Sequence, residues 1–251
     1  MEERYPELYD QLAYGATSAD VEELEKELSC HFPRDVKESL AVHDGQERGG
    51  RPTGIVFGAA LLDCEEITQE WDLWRTVAAA IAEPPPSSSA NGGSAKKNGV
   101  QGNPPPSGSK QHFLQRQHSR PEGAVQRVYA STQWIPLAKD FQGNNIAIDL
   151  APASRGQWGQ IIIFGSDYDT KYVVAKSWSS FMAMLADDIA SGEAYVDDEG
   201  ELCLRFHGER GMAYFDVLKA RVDRRCGKLK RPMGLANGKP PAGKSPAVVS
   251  Q

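Results

Sequence analysis

The sequence predicts an α+β domain, a mainly antiparallel central sheet flanked by helices, in one domain that carries a disordered insertion and a disordered basic tail. Three observations predict this. Helical spacing dominates the residues before about position 83, four short β-rich runs separated by compact turns follow position 130, and helical spacing then returns. Two stretches lack the residues to build a core. Residues 84–110 are rich in Pro, Gly and Ser, lie between two Pro-Pro-Pro runs, and hold Val100 as their only branched aliphatic; residues 228–251 have the same character. Burying so little apolar area cannot offset a backbone ordering cost of about 1–2 kcal/mol per residue. Without them the 251-residue chain leaves 200, enough for one domain. The division is therefore 1–83, the helical part and first strand; 84–110, the insertion; 111–227, the sheet and C-terminal helices of the same domain; and 228–251, the tail.

The first helix is punctuated by Thr17 and Asp20 at capping-box spacing, with Val21, Leu24 and Leu28 on one face and Glu22 and Lys26 paired on the other. Pro33 suits the start of a second helix whose Val36 and Leu40 point inward and whose end is marked by Gly45. Gly54–Leu62, GIVFGAALL, reads as a strand with a bulge or a close backbone approach at Gly58. Residues 64–82 return to helical spacing, with Ile67, Trp71, Trp74 and Val77 as the inner stripe and the tryptophans as core anchors.

After the insertion, strands are expected at Gln133–Ala138, Asn145–Leu150, Trp158–Phe164 and Tyr172–Ala175. The breaks FQGNN, APASRG and GSDYDTK are short enough for antiparallel hairpins. A helix is expected over Ser177–Ala190 with Trp178, Phe181, Met182, Leu185 and Ile189 inward, then a hairpin from Ala194 to Phe206 turning at Asp198–Gly200.

Composition excludes some functions. The most apolar runs, Val77–Ala82 and Ile161–Phe164, fall far short of the roughly 20 residues that cross a bilayer, and the charged N-terminus lacks the apolar core of a secretory signal. Cys30, Cys64, Cys203 and Cys226 lie far apart with no C-x-x-C pair, so reduced thiols in the cytosol or nucleus are expected. The net charge of −6 argues against a general phosphate-backbone binder. It is unevenly spread, −14 over residues 1–218 and +8 from Lys219 onward. Nucleic-acid binding through the basic tail would be opposed by the acidic body, and none is expected.

The most enzyme-like string runs from Ile161 into Asp167-Tyr-Asp169-Thr170. A strand leading to D-x-D-x-T resembles the nucleophile motif of haloacid-dehalogenase-type phosphatases, so a Mg-dependent phosphohydrolase using Asp167 and Asp169 is the alternative reading. Gly165 and Ser166 separate the strand from Asp167, and that fold needs parallel crossovers where these residues read as hairpins. The string is no EF-hand, for want of the sixth-position Gly and twelfth-position Glu. None of His31, His43, His112, His118 and His207 makes an i,i+4 metal pair; His112 and His118 fall at the solvated edge of the insertion, and His43 fits the end of a helix dipole. No G-x-S-x-G, Walker A or G-x-G-x-x-G motif is present, so no catalytic residue, metal or cofactor is expected. The sheet turns are the better candidate. Asp140, Asn144, Asp149, Asp167 and Asp169, mixed with Phe141, Trp158 and Tyr168, place rings and carboxylates at loop tips, the composition of a protein-binding face.

Trp134-Ile-Pro-Leu-Ala-Lys-Asp-Phe-Gln-Gly-Asn-Asn-Ile-Ala-Ile-Asp-Leu, continued by Trp158-Gly-Gln-Ile-Ile-Ile-Phe-Gly and Asp167-Tyr-Asp-Thr-Lys-Tyr-Val-Val-Ala, resembles the core of the fungal cell-wall assembly regulators associated with killer-toxin resistance, the founding branch of the SUKH superfamily. Asp35-Val-Lys-Glu-Ser-Leu-Ala-Val-His-Asp-Gly and Ser177-Trp-Ser-Ser-Phe extend the resemblance over roughly Val21 to Ala190. It implies an α+β fold with no known catalytic activity. Family members regulate 1,3-β-glucan and chitin deposition and work with the cell-wall-integrity MAP kinase pathway as interaction hubs, in the cytoplasm and at sites of polarised growth; bacterial relatives are toxin-binding immunity proteins. Members commonly have longer terminal regions, whereas this chain begins almost at the domain and stops soon after it, as a fragment would. The expected function is thus that of a non-enzymatic scaffold, in the cytoplasm or nucleus, that binds wall-synthesis and kinase-pathway proteins. Ser245-Pro246 in the tail is its candidate phosphorylation site.

Overall fold

The structure, a computed structural model, describes residues 6–82, 115–208 and 211–227. The predicted insertion 84–110, the tail 228–251 with Ser245, and His112 lie outside the described residues.

A short turn of helix, α1 (Pro6–Tyr9), precedes α2 (Ser18–Glu27). The predicted capping box is formed: the Asp20 N–H donates to Thr17 Oγ1, and Asp20 Oδ2 accepts from the Thr17 N–H at 2.8 Å. Helix α3 (Arg34–Val42) starts after Pro33, whose fixed φ and missing N–H suit that place. His43 follows it and faces the Ala13 carbonyl at 2.9 Å, so its ring carries the proton on Nδ1 and pins the 12–16 segment to the helix end.

Only Ala60–Leu61 of the predicted 54–62 strand is strand, here β1. The rest reverses tightly. Val56 and Ala59 exchange both backbone bonds, the Gly58 N–H donates to the Gly54 carbonyl, Phe57 has φ +48°, and a Cβ on Gly54 would sit 2.2 Å from the Ala59 oxygen. The run is apolar because it is buried as a loop, with Ile55, Val56, Phe57 and Ala59 all in the core.

Helix α4 (Cys64–Ala82) buries Ile67 and Trp74, while Trp71 is half-buried and donates its indole N–H to the Thr132 carbonyl at 2.8 Å. The chain returns through β2 (His118–Arg120), then runs through β3 (Trp134–Lys139), β4 (Asn144–Asp149), β5 (Gln160–Gly165) and β6 (Thr170–Ala175). The last four form the predicted antiparallel meander, and the six-stranded order is β1-β3-β4-β5-β6-β2. His118, expected at the solvated edge of the insertion, instead opens β2, a parallel strand on β6 with His118 opposite Thr170. Three residues without an apolar alternation carry no strand signal of their own, and Asp169 anchors this one by accepting at its carbonyl from the His118 N–H and pairing its carboxylate with Arg116.

β3, β4 and β5 are buried along both faces, with Lys139 at the end of β3 partly exposed. Ile135, Leu137, Ile146, Ile148, Ile161 and Ile163 face α2, α3, α5 (Trp178–Ala190) and α6 (Tyr214–Arg225). Trp134, Ala147, Ile162 and Phe164 face Trp74 of α4 and the 125–130 segment. The predicted hairpin is β7 (Ala194–Val196) paired with β8 (Leu202–Leu204). A buried network then fixes α6 to α5: Asp188 accepts two bonds from the Arg221 guanidinium, at 2.6 and 2.7 Å, and one from the Tyr214 hydroxyl at 2.7 Å. Burial of its ring, and then the charge and hydrogen bond of Asp188, hold the Tyr214 phenol well above its usual range.

Candidate protein-binding cleft

Successive hairpins alternate between the two ends of a meander, so the β3–β4 turn (140–143) and the β5–β6 turn (166–169) share one end of the sheet. Asn144 joins them. Its Nδ2 donates to Asp140 Oδ2 at 2.8 Å and to Asp167 Oδ2 at 2.9 Å, and its Oδ1 accepts from the Asp167 N–H at 3.3 Å. Asp140 Oδ1 also accepts from the backbone N–H groups of Gln142 and Asn144, at 2.8 and 3.0 Å, an Asx turn that closes the loop. Gly165 is required beside it: at φ +158° a Cβ there would lie 2.4 Å from Asn144 Oδ1.

Next to this pair of turns lies a cleft of about 290 Å³. Its aromatic wall comes from Phe57, Tyr168, Tyr214 and Phe215, with Phe57 and Tyr214 at 4.7 Å between ring centroids and Tyr168 stacked on Phe215 at 6.4 Å. Its polar wall comes from Asp140, Gln142, Asn144, Asp167, Asp216 and Lys219. Lys219 pairs with Asp216 at 2.8 Å and reaches over the Tyr168 ring at 5.1 Å. Burial, and then the nearby Asp216, Asp140 and Asp167, push the Tyr168 phenol up, so it stays a neutral donor at physiological pH. Carboxylates around rings suit a side chain with an apolar stem and a cationic head.

Four of the eight residues singled out from sequence, Asp140, Asn144, Asp167 and Tyr168, line this cleft. Phe141 is on the same turn, exposed, at φ +59°, under the Arg48 guanidinium at 4.6 Å. Asp169 is turned to Arg116 and to Gln117, whose amide donates to it at 2.9 Å. Asp149 and Trp158 belong to the other end of the sheet, where β4 passes to β5. Asp149 is fully buried and accepts from Gln160 at 2.8 Å and from the Ala151 N–H at 3.1 Å; burial outweighs these bonds and lifts its carboxyl to about 6. It therefore has no surface to offer a partner. Trp158 is half exposed, but far from the cleft.

The geometry also differs from the haloacid-dehalogenase-type arrangement on which the phosphohydrolase alternative, with its D-x-D-x-T string, rests. Both neighbours of β5 are antiparallel, so Asp167 does not stand at the switch point of a parallel sheet, and Asp167 and Asp169 serve different partners, Asn144 and the Arg116–Gln117 pair. What sequence reasoning missed is the half of the cleft supplied by Phe57 and by α6, both brought in from a distance. A second unforeseen group is Lys171, fully buried, bonded to the Gln117 side chain and the Tyr168 carbonyl beneath the rings of Tyr129 and Trp134. Burial lowers its amine to about 8. The four cysteines are unpaired, and among the described residues no helix is long and apolar enough to cross a membrane.

Residues 15–184 match the model of the SMI1 / KNR4 family (SUKH-1). The chain is 47% identical over 233 residues to a glucan synthesis regulatory protein of Neurospora crassa, covering 90% of this chain and 44% of that relative. It is 52% identical over 223 residues to the cell wall biosynthesis/cell cycle regulator smi1 of Schizosaccharomyces pombe, covering 88% and 40%. With the cell wall assembly regulator SMI1 of Saccharomyces cerevisiae the identity is 36% over 233 residues, covering 88% and 46%. The chain thus spans less than half the length of each of these curated relatives.

Proposed function

The chain belongs to the SMI1/KNR4 (SUKH-1) family, and from that premise we propose that it is a non-enzymatic adaptor in the regulation of fungal cell-wall assembly, holding protein partners through the cleft at the turn end of its sheet. The names of its relatives, regulators of glucan synthesis and of wall assembly, support the process. The finer parts of the reading rest on the family resemblance: control of 1,3-β-glucan and chitin deposition, contact with the cell-wall-integrity MAP kinase pathway, and action in the cytoplasm at sites of polarised growth.

One observation carries the choice of site. The cleft sets an aromatic wall against Asp140, Asp167 and Asp216, and its shape is held by bonds internal to the turns rather than by a ligand. A lysine or arginine from a partner would lay its stem on Tyr168 and Phe215 and bring its charge to the carboxylates. Displacing Lys219 from Asp216 would accompany that entry. Pre-ordered walls reduce the entropy lost on docking, which favours a small but specific anchor.

Asp216 tests the reading without touching the turns, because it is exposed and its carboxylate bonds only Lys219 among the described residues. Asp216→Lys is expected to keep the circular dichroism spectrum and unfolding midpoint of the parent. It should fail to restore growth under a glucan-synthesis inhibitor in a fungal strain lacking its own copy. Full rescue by this variant, at equal protein level, would remove the cleft from the function.

A further inference from the structure

A second groove lies away from the cleft, toward the other end of the sheet and of α6, and its character is opposite. Pro121, Val173, Ala175 and Val222 make its floor, Arg155, Lys176 and Arg225 its rim, and its volume is about 280 Å³. Arg155, Lys176 and Arg225 are exposed, and among the described residues none of the three is in an ion pair. The carboxylates closest along the chain are Asp223, which faces Arg120 at 3.7 Å, and Glu122, which follows Pro121. Arg225 is held in place by donating to the Val174 carbonyl at 3.0 Å, so one of the three charges is fixed in direction before any ligand arrives. This concentration of unpaired positive charge sits on a body whose first 218 residues carry a net −14. Among the described residues no carboxylate is paired with it.

From these observations we infer that the groove between β6, α6 and the 121–124 and 155–157 loops docks an acidic peptide segment of another protein, carboxylates on the rim and an apolar side chain on the floor. The proposal goes beyond the adaptor reading, because it concerns a different surface and ligands of the opposite charge. The apolar part is a recess, not a protruding ring or aliphatic, which suits an inserted side chain better than a lipid surface. Trp158, half exposed and next in sequence to the groove-lining Gln157, adds the kind of residue that anchors protein contacts. Matching a positive rim to a negative segment also steers encounter, so binding should weaken steeply with added salt.

The test uses the full chain and a fluorescein-labelled peptide alternating Asp with Leu, followed by fluorescence anisotropy. A poly-Glu peptide, a Lys–Leu peptide and a phosphoserine–Leu peptide serve as comparisons. Arg155→Glu with Lys176→Glu is the main variant, since both side chains are exposed and unbonded to the core; Arg34→Glu, on the exposed surface of α3, is the control. The Asp–Leu peptide is expected to bind the parent and the control alike and to lose affinity by about tenfold or more in the double variant, with its fold intact by circular dichroism. No binding to the parent, or equal binding to the double variant, would overturn the proposal. Equal or stronger binding of poly-Glu would overturn the apolar floor, and preference for the phosphoserine peptide would replace carboxylate by phosphate. Self-association of the chain that the double variant abolishes would make a second copy the occupant instead.

Discussion

Asn144 has one amide placed between two carboxylates, and the hydrogen-bond inventory of asparagine explains why it is there: the NH₂ serves Asp140 and Asp167 while the oxygen accepts from a backbone N–H. Asn144→Ala leaves both acids facing each other across the gap, so a loss of about 1–2 kcal/mol is expected by urea denaturation, moderated because the acids are partly solvated. Asn144→Asp adds a third negative charge. Its deficit should be largest at neutral pH and shrink as the solution is acidified toward about pH 4. Asp149 gives a different pH signature. Its carboxyl titrates at about 6 in the fold against 3.8 without it, so between those values the folded chain holds a proton the unfolded chain has lost. Stability from this group is therefore present below the lower value and is lost as pH rises through the upper one. Asp149→Asn removes that dependence: relative to the parent, the variant should gain on the order of 2–3 kcal/mol between acid and neutral pH, read from paired urea midpoints.

Elements are held by what covers them, and α4 shows it most clearly. Its buried Trp74 meets the Phe164 ring of β5 edge-on at 4.8 Å and donates its indole N–H to Glu70 at 3.1 Å. Trp74→Ala opens a hole over the sheet's second face and should cost about 3–5 kcal/mol, whereas Leu73→Ala, on the exposed side of the same helix, should stay within about 0.5 kcal/mol. The four meander strands were legible because β-branched runs alternate with turns short enough only for hairpins. β2 was not, because its three residues are ordered by partners 52 positions away. GIVFGAALL misled for a related reason: apolarity reports burial, and only Gly54 and Gly58 hinted that the buried object was a reversal. The candidate site was half legible. Hairpin parity already separates Asp140 and Asp167 from Asp149 and Trp158, but it leaves Phe141 and Asp169 at the cleft end although neither lines the cleft. Nothing local in Tyr214 or Phe215 announces that α6 crosses to meet Phe57.

Across the whole molecule, both outer borders of the sheet are cut short. On one side β1 covers only Ala138 and Lys139, and the uncovered stretch of β3 contains Pro136, which has no N–H to offer. On the other side β2 covers β6 as far as Tyr172, and beyond it the Arg225 guanidinium occupies the Val173 and Val174 carbonyls. A long run of unpaired backbone is the template on which strands from other chains polymerise. Among its described residues this fold offers none, so strand-by-strand polymerisation finds no template there, and a contact with another chain would fall to side chains rather than to backbone.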